Sequence, residues 1–212
     1  ILARGVVLET EKKLGRDFDL KQLREQGFDA IFLALGLQES RKIPLEGAQL
    51  DDVLWGLEFL SGVAEGKEFL MKDRVMVVGG GNVAVDVALT ALRRGAKEVT
   101  MACLEGREEM PANPWEIETA LEEGINLLPS WGPRRILEEK GKITGIELVQ
   151  CASVFDEQGN FCPAFNDVTR TVKADQIILA IGQTAEPACL GGDEACRIEE
   201  GLVAVNPDTL ET

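Results

Sequence analysis

Apolar positions along this chain come mostly in short continuous blocks, and the blocks predict buried strands alternating with helices. Residues 6–10 and 30–35 read as strands, the second closing on Gly36, with a short helix at 20–26 between them. Residues 50–64 read as one connector helix, with Val53, Leu54, Leu57 and Leu60 as its apolar positions. The run Val75 to Val78 enters Gly79-Gly80-Gly81, an amphipathic helical stretch follows, and a second apolar run leads to Cys103. Residues 114–123 read as a helix with Pro in its tolerated first turn and Gly124 after its end, and 125–128 as the next strand. Over 134–173 the character changes to short strands separated by turn signals, including Gly141 and the Gly159-Asn160 pair, which reads as an antiparallel meander. Residues 174–181 return as a buried strand that ends at Gly182. The expected fold class is α/β: a Rossmann-like parallel sheet flanked by helices, with an antiparallel β-meander inserted.

Composition narrows the chemistry. The chain has 212 residues and a formal charge of −15, which argues against nucleic acid or an anionic membrane surface as partner. No apolar run reaches bilayer-spanning length and no signal peptide opens the chain, so no membrane insertion and a cytoplasmic location are expected. The five cysteines form no C-x-x-C pair and read as reduced, mostly buried thiols. Histidine is absent, which removes the usual general base and the commonest metal ligand. Zinc chemistry and His-dependent triads are therefore not expected, and neither a metal site nor a protein catalytic residue is assigned. Hydride transfer between two cofactors requires no protein acid or base, so it survives this filter.

The stretch 74–105 carries the main signal. Its order of strand, glycine turn, helix, strand and terminal acid is the dinucleotide fingerprint in its G-x-G-x-x-A form. Gly79 permits the tight turn, Gly81 permits close approach of a pyrophosphate, and Ala84 permits close helix packing. With Gly80, Asn82 and Val83 these residues form the expected phosphate seat at a helix N-terminus. Asn82 is expected to cap the helix or bind phosphate, and Asp86 to serve the helix end or meet a further domain. Met110-Pro111-Ala112 and Glu116 read as an ordered loop and helix start. Trp55, Trp115 and Trp131 read as core or interdomain anchors.

In combination, FDAIFLALG (28–36), VMVVGGGNVAVDVALTALRRGAKEVTMAC (75–103), REEMPA (107–112), LEEGI (121–125) and ADQIILAIGQ (174–183) resemble one family across nearly the whole chain. It is that of the flavoprotein reductases with two dinucleotide domains, in the branch containing the small subunit of bacterial glutamate synthase. The resemblance implies a nicotinamide-binding domain at 46–186, inserted into an FAD-type domain of which 1–45 and 187–212 are partial flanks, and it implies that the loop of Met110-Pro111-Ala112 and Glu116 borders the nicotinamide side. Residue 1 is Ile and the chain ends just after a strand-like LVAVN, so it reads as an excised piece of a longer protein. The flavin fingerprint, the later Gly-Asp motif and the iron–sulfur region of the family do not occur in it. FAD is thus expected only in the full-length protein. The implied partners are the remaining FAD and iron–sulfur domains of the parent chain or of a partner subunit.

The end of the second strand selects the cofactor. Members of the resembling branch carry Tyr-Arg-Arg there, which implies NADPH, whereas this chain has Cys103-Leu104-Glu105. An acid there accepts hydrogen bonds from the adenosine ribose, so NAD(H) is expected over NADP(H), with Arg107 as the residue within reach of an extra phosphate. Gly182, beyond the carboxyl end of the return strand, is expected to touch the cofactor. The reading is an oxidoreductase domain that passes hydride from nicotinamide to FAD and is inactive by itself. The competing reading is an NAD-sensing module without turnover. A methyltransferase also uses a glycine-rich turn, but its fold lacks a meander of this kind.

Overall fold

The structure is a computed structural model that describes residues 2–190, 196–199 and 201–212. The chain divides into two compact units, one of residues 40–183 and one combining 1–39 with 184–212.

In the smaller unit, helix α1 (Leu20–Glu25) begins with reciprocal capping: Asp19 Oδ1 accepts from Gln22 N–H at 2.7 Å, and Gln22 Oε1 accepts from Asp19 N–H at 3.0 Å. Leu20, Leu190 and Cys196 form a small core on which Ile31 and Leu33 pack. The strands expected at 6–10 and 30–35 do not form. The inward and outward alternation at 30–35 is real, since Phe32 is 92% exposed between Ile31 and Leu33. A strand also needs a hydrogen-bonding neighbour, and neither segment has one among the described residues.

β1 (Glu39–Ser40) leads into the larger unit. There the expected helix at 50–64 is split: 53–55 form strand β2 (Val53–Trp55), and helix α2 (Gly56–Ala64) starts only afterwards. The sheet imposes this, because Val53, Leu54 and Trp55 pair in parallel with residues 177–179. The β-branched and aromatic members of that triplet suit the pleated surface.

The remaining elements follow the sequence pattern. They are β3 (Arg74–Val78), α3 (Asn82–Arg93), β4 (Glu98–Cys103), α4 (Pro114–Glu122), β5 (Asn126–Pro129), β6 (Trp131–Glu139), β7 (Lys142–Phe155), β8 (Phe161–Lys173) and β9 (Gln176–Leu179). The short strands β10 (Gln183–Thr184), β11 (Ile198–Glu199) and β12 (Leu202–Val203) complete the described chain, the last two as an antiparallel pair. The parallel sheet has the order β2-β9-β3-β4-β5, and β6-β7-β8 form a separate antiparallel sheet.

Three layers result. Val75 and Val77 face α2, α3 and α4, together with Val99, Met101 and Ile178. Met76 and Val78 face the meander, meeting Ile136, Ile146 and Leu148 with Ile177 and Leu179. A parallel sheet covered on both faces explains why its strands read as continuous apolar runs. At the start of β3, Arg74 and Asp175 form a two-point ion pair, with Arg74 Nε donating to Asp175 Oδ2 at 2.8 Å and Arg74 Nη2 to Oδ1 at 2.5 Å. These bonds hold the Asp175 carboxyl below its ordinary range.

Candidate functional site

The candidate site lies where β3 and β4 end side by side. Their register pairs Val78 with Ala102, and Gly79 N–H donates to Ala102 O at 2.8 Å. Both strand ends are thus fixed by ladder bonds, and only the turns beyond them differ.

The three glycines of the turn are required for different reasons. Gly79 has φ +145°, and a Cβ there would collide with the backbone oxygen of Ala180 in the neighbouring strand's extension. Gly80 has no room either: a Cβ would lie 2.9 Å from Cys103 Cβ and 2.8 Å from Glu105 Oε2. Gly81 is unlike both. It sits at φ −90°, ψ 175°, an extended conformation open to any residue, and a Cβ would meet only Pro111 Cγ at 4.0 Å. The folded chain does not require glycine at position 81.

Helix α3 begins directly beyond. Ala84 and Val85 N–H groups donate back to Gly81 O at 2.9 and 3.2 Å. The N–H groups of Gly81, Asn82 and Val83 have no acceptor among the described residues. Three donors without an acceptor among the described residues thus lie in succession at the positive end of a helix dipole. Ala84 is fully buried, so the helix packs tightly on the sheet at that point.

Asn82 is not the helix cap. Gly81 holds that position, and Asn82 Oδ1 instead accepts from Asn113 N–H at 2.9 Å. Ala112 N–H donates to Gly80 O at 3.1 Å. The Met110-Pro111-Ala112-Asn113 segment is thereby fastened across the glycine turn, an attachment that neither sequence reading of it, as an ordered surface loop or as a border of the nicotinamide side, contained. Trp115, at the start of α4, is 64% exposed and anchors nothing in the larger unit, unlike Trp55 and Trp131, which pack against its core. Asp86 is exposed on α3; partial burial, then the Glu116 charge, raises its carboxyl above the usual range. Glu116 Oε2 is buried without a partner among the described residues.

Glu105 lies two residues past β4, and its carboxylate reaches over Gly80, so the structure brings together the expected phosphate turn and the expected ribose acid. Arg107 is half-buried in a short helical turn (Arg107–Glu109) and makes no ion pair among the described residues. Its loop holds three carboxylates, Glu105, Glu108 and Glu109, against this one guanidinium. Below the loop, burial and the Glu105 charge push the Cys103 thiol up to about 12, so it is a neutral group and not a nucleophile. Gly182 has φ +110° with open space around it, and its carbonyl accepts from Arg41 N–H at 2.9 Å.

Two features of the loop escape sequence reading. Glu109 Oε2 accepts from Gly106 N–H at 3.1 Å, and Ser130, a non-glycine residue at φ +64°, donates its N–H to Glu105 O at 2.9 Å. An acid three residues after Gly106, opening a helical turn, is the one local signal for the first. The second depends on a residue 25 positions away and has no local signal.

Comparison with known proteins agrees with this architecture. The model of the pyridine nucleotide-disulphide oxidoreductase family matches residues 3–212. NADPH-Fe(3+) oxidoreductase subunit beta of Geobacter sulfurreducens is 36% identical over 189 residues, covering 86% of this chain and 28% of its own length. NADP(+)-dependent formate dehydrogenase subunit beta of Moorella thermoacetica is 34% identical over 220 residues, covering 100% and 30%. The glutamate synthase [NADPH] small chain of Escherichia coli is 32% identical over 158 residues, covering 69% and 33%. The chain thus spans about a third or less of these relatives. Among solved structures, Mycobacterium tuberculosis FprA in complex with NADPH matches with TM-score 0.71 at 18% identity, over 91% of this chain and 59% of that one, a likeness of fold. The relatives' names specify NADPH or NADP(+), so they lend no support to an NADH preference. With the fold, the fingerprint and the family match in agreement, the chain belongs to the pyridine nucleotide-disulphide oxidoreductases.

Proposed function

We propose that this chain is the nicotinamide-dinucleotide-binding part of a flavin-dependent oxidoreductase. The observation that carries the reading is Gly81, whose missing side chain leaves space that the fold itself does not use. A pyrophosphate fits there, because the N–H groups of Gly81, Asn82 and Val83, which have no acceptor among the described residues, supply what phosphate oxygens require. Gly79 and Gly80 shape the turn, Ala84 brings the helix close, and the 110–113 segment holds the turn from above. Gly182, with its open surroundings, borders the same end of the sheet and contributes backbone contact.

The bound nicotinamide supplies a hydride for a flavin. This chain's task is then to hold the dinucleotide in one orientation, where positioning is the main contribution to rate. We place the FAD in parts of the parent protein outside this chain, with 1–45 and 187–212 as flanks of its domain and 46–186 as the nicotinamide domain. By itself the chain binds but does not turn over. Electrons would pass onward through FAD and iron–sulfur domains of the parent or of a partner subunit. NAD-sensing without turnover has no observation in its favour, because nothing in the site distinguishes it.

For cofactor choice, Glu105 favours NADH. Its carboxylate is suited to ribose hydroxyls and repels a phosphate in their place. The expected preference is at least about tenfold, or ~1.4 kcal/mol. The names of the relatives and Arg107, which makes no ion pair among the described residues, favour the second reading, NADPH. Parallel titrations of the chain with NADH and NADPH decide between them: equal or tighter NADPH binding removes the NADH preference, and binding of neither removes the dinucleotide reading.

A further inference from the structure

We propose that Phe165 of the meander is the platform on which the adenine ring of the dinucleotide stacks, beside the ribose acid Glu105. The inference deepens the reading of the glycine turn as a dinucleotide seat and rests on it.

Gly132 on β6 is buried, and a Cβ there would lie 2.6 Å from Leu104 Cδ2 and 3.0 Å from Phe165 Cε1. The sheet order is β6-β7-β8, so Phe165 on β8 reaches Gly132 from two strands away. A ring standing upright on β8 would stay about 10 Å from β6, since adjacent strands lie roughly 4.8 Å apart. The Phe165 ring therefore lies along the sheet, across β7, with one face against the strands and the other turned outward. Its 50% exposure fits that pose. The missing side chain at Gly132 admits the ring edge, and a glycine inside a strand commonly marks such a close approach.

The outward face adjoins the loop after β4. Glu105 O accepts from Ser130 N–H at 2.9 Å, Ser130 O accepts from Cys151 N–H at 2.9 Å, and Cys151 pairs with Phe165 across β7 and β8. Paired residues of antiparallel strands share a face, so a short run of backbone contacts leads from the acid to the ring. Leu104, the residue before Glu105, shares the space above Gly132 with that ring.

In a dinucleotide the base hangs from the ribose carbon next to the one that bears the 2′-hydroxyl. With the pyrophosphate at Gly81 and the ribose at Glu105, the base comes to lie just beyond Glu105, on the side away from the glycine turn. Leu104 and Phe165 supply apolar surface there. A flat purine gains on a flat ring by offset stacking, whatever its hydrogen-bonding edge. The other exposed aromatics of the meander, Phe155 and Phe161, pair edge to face with centroids 6.3 Å apart and lie toward the tip of the β7-β8 hairpin instead.

The test is calorimetric titration of the 212-residue chain with NADH and with ADP-ribose, in wild type, Phe165→Ala, Phe165→Leu and, as control, Phe161→Ala. ADP-ribose keeps the adenosine and the pyrophosphate but lacks the nicotinamide. Its affinity should fall about tenfold in Phe165→Ala and at least about fivefold in Phe165→Leu, which keeps apolar bulk over Gly132 without a flat face. NADH should weaken in parallel, and Phe161→Ala should stay within about twofold of wild type for both ligands. Bound ADP-ribose should also lose absorbance in the adenine band with wild type but not with Phe165→Leu, a signature that packing alone does not produce. Full affinity in Phe165→Leu, or the same absorbance loss in it, would reduce Phe165 to a packing residue and overturn the proposal, even where Phe165→Ala is too unstable to titrate. A wild type that binds neither ligand removes the seat reading and this inference with it. A wild type that binds both, with affinities indifferent to position 165, removes only this inference.

Discussion

The turn after β3 and the loop after β4 leave the sheet at adjacent strand ends, yet they are specified by different means. The turn is specified by what is missing: at Gly79 and Gly80 any side chain would strike Ala180 or Cys103. The loop is specified by what is present, namely the carboxylates of Glu105 and Glu109 and the backbone brace at Ser130. We assign the turn to accepting a dinucleotide and the loop to choosing which one. Shape governs the first task and charge the second, so changes in the two regions should separate stability, affinity and preference.

The largest effect belongs to the fold-demanded half of the turn. Gly79→Ala forces a side chain against Ala180 O at a φ that L-residues avoid. It should cost on the order of 3 kcal/mol of stability, read as a lowered denaturation midpoint. A midpoint unchanged from wild type would show that the turn relaxes and that the contrast with Gly81 is false.

Next comes the charge-specified loop. Glu105→Arg replaces an acceptor by a cation that pairs with phosphate, and should shift preference toward NADPH by on the order of tenfold or more, with the melting temperature little changed. Equal affinities before and after would mean that a different residue reads the ribose. The smallest effect is chemical. Cys103, beneath the loop, is buried with its thiol pushed up to about 12, whereas Cys162 on β8 is exposed. At pH 8 only about one part in ten thousand of Cys103 is thiolate, so a maleimide should label Cys162 and leave Cys103 untouched until the protein is unfolded. Rapid labelling of Cys103 in the native chain would show that the loop opens readily and is not set in advance.

The same contrast explains what the sequence disclosed. Gly79-Gly80-Gly81 is legible because glycine is the residue that leaves such space, and continuous apolar runs such as Val75 to Val78 mark a strand covered on both faces. The meander was legible from its turn residues, Gly141 and Gly159 both having positive φ. Strand β2 was hidden inside an apparent helix because pairing with 177–179, more than a hundred residues on, overrides local periodicity. The segments 6–10 and 30–35 failed in the opposite sense, since they carry strand-like patterns without a pairing neighbour among the described residues. In the site, Glu105 and Arg107 were visible from their spacing after β4. The tie from Asn113 to Asn82 and the brace from Ser130 were not, because each joins residues distant in sequence.

The most direct measurement compares Gly81→Ala with wild type. Because a Cβ at this position meets only Pro111 Cγ at 4.0 Å, the variant should melt within about a degree of wild type in the absence of ligand. Wild type should gain about 2.7 kcal/mol of stability at NADH equal to one hundred dissociation constants. At the same NADH concentration the variant should gain at least about 1.4 kcal/mol less, a tenfold or greater loss of affinity. A variant that binds NADH as tightly as wild type, or a wild type that shows no stabilisation by either dinucleotide, would contradict the assignment of this turn to a pyrophosphate.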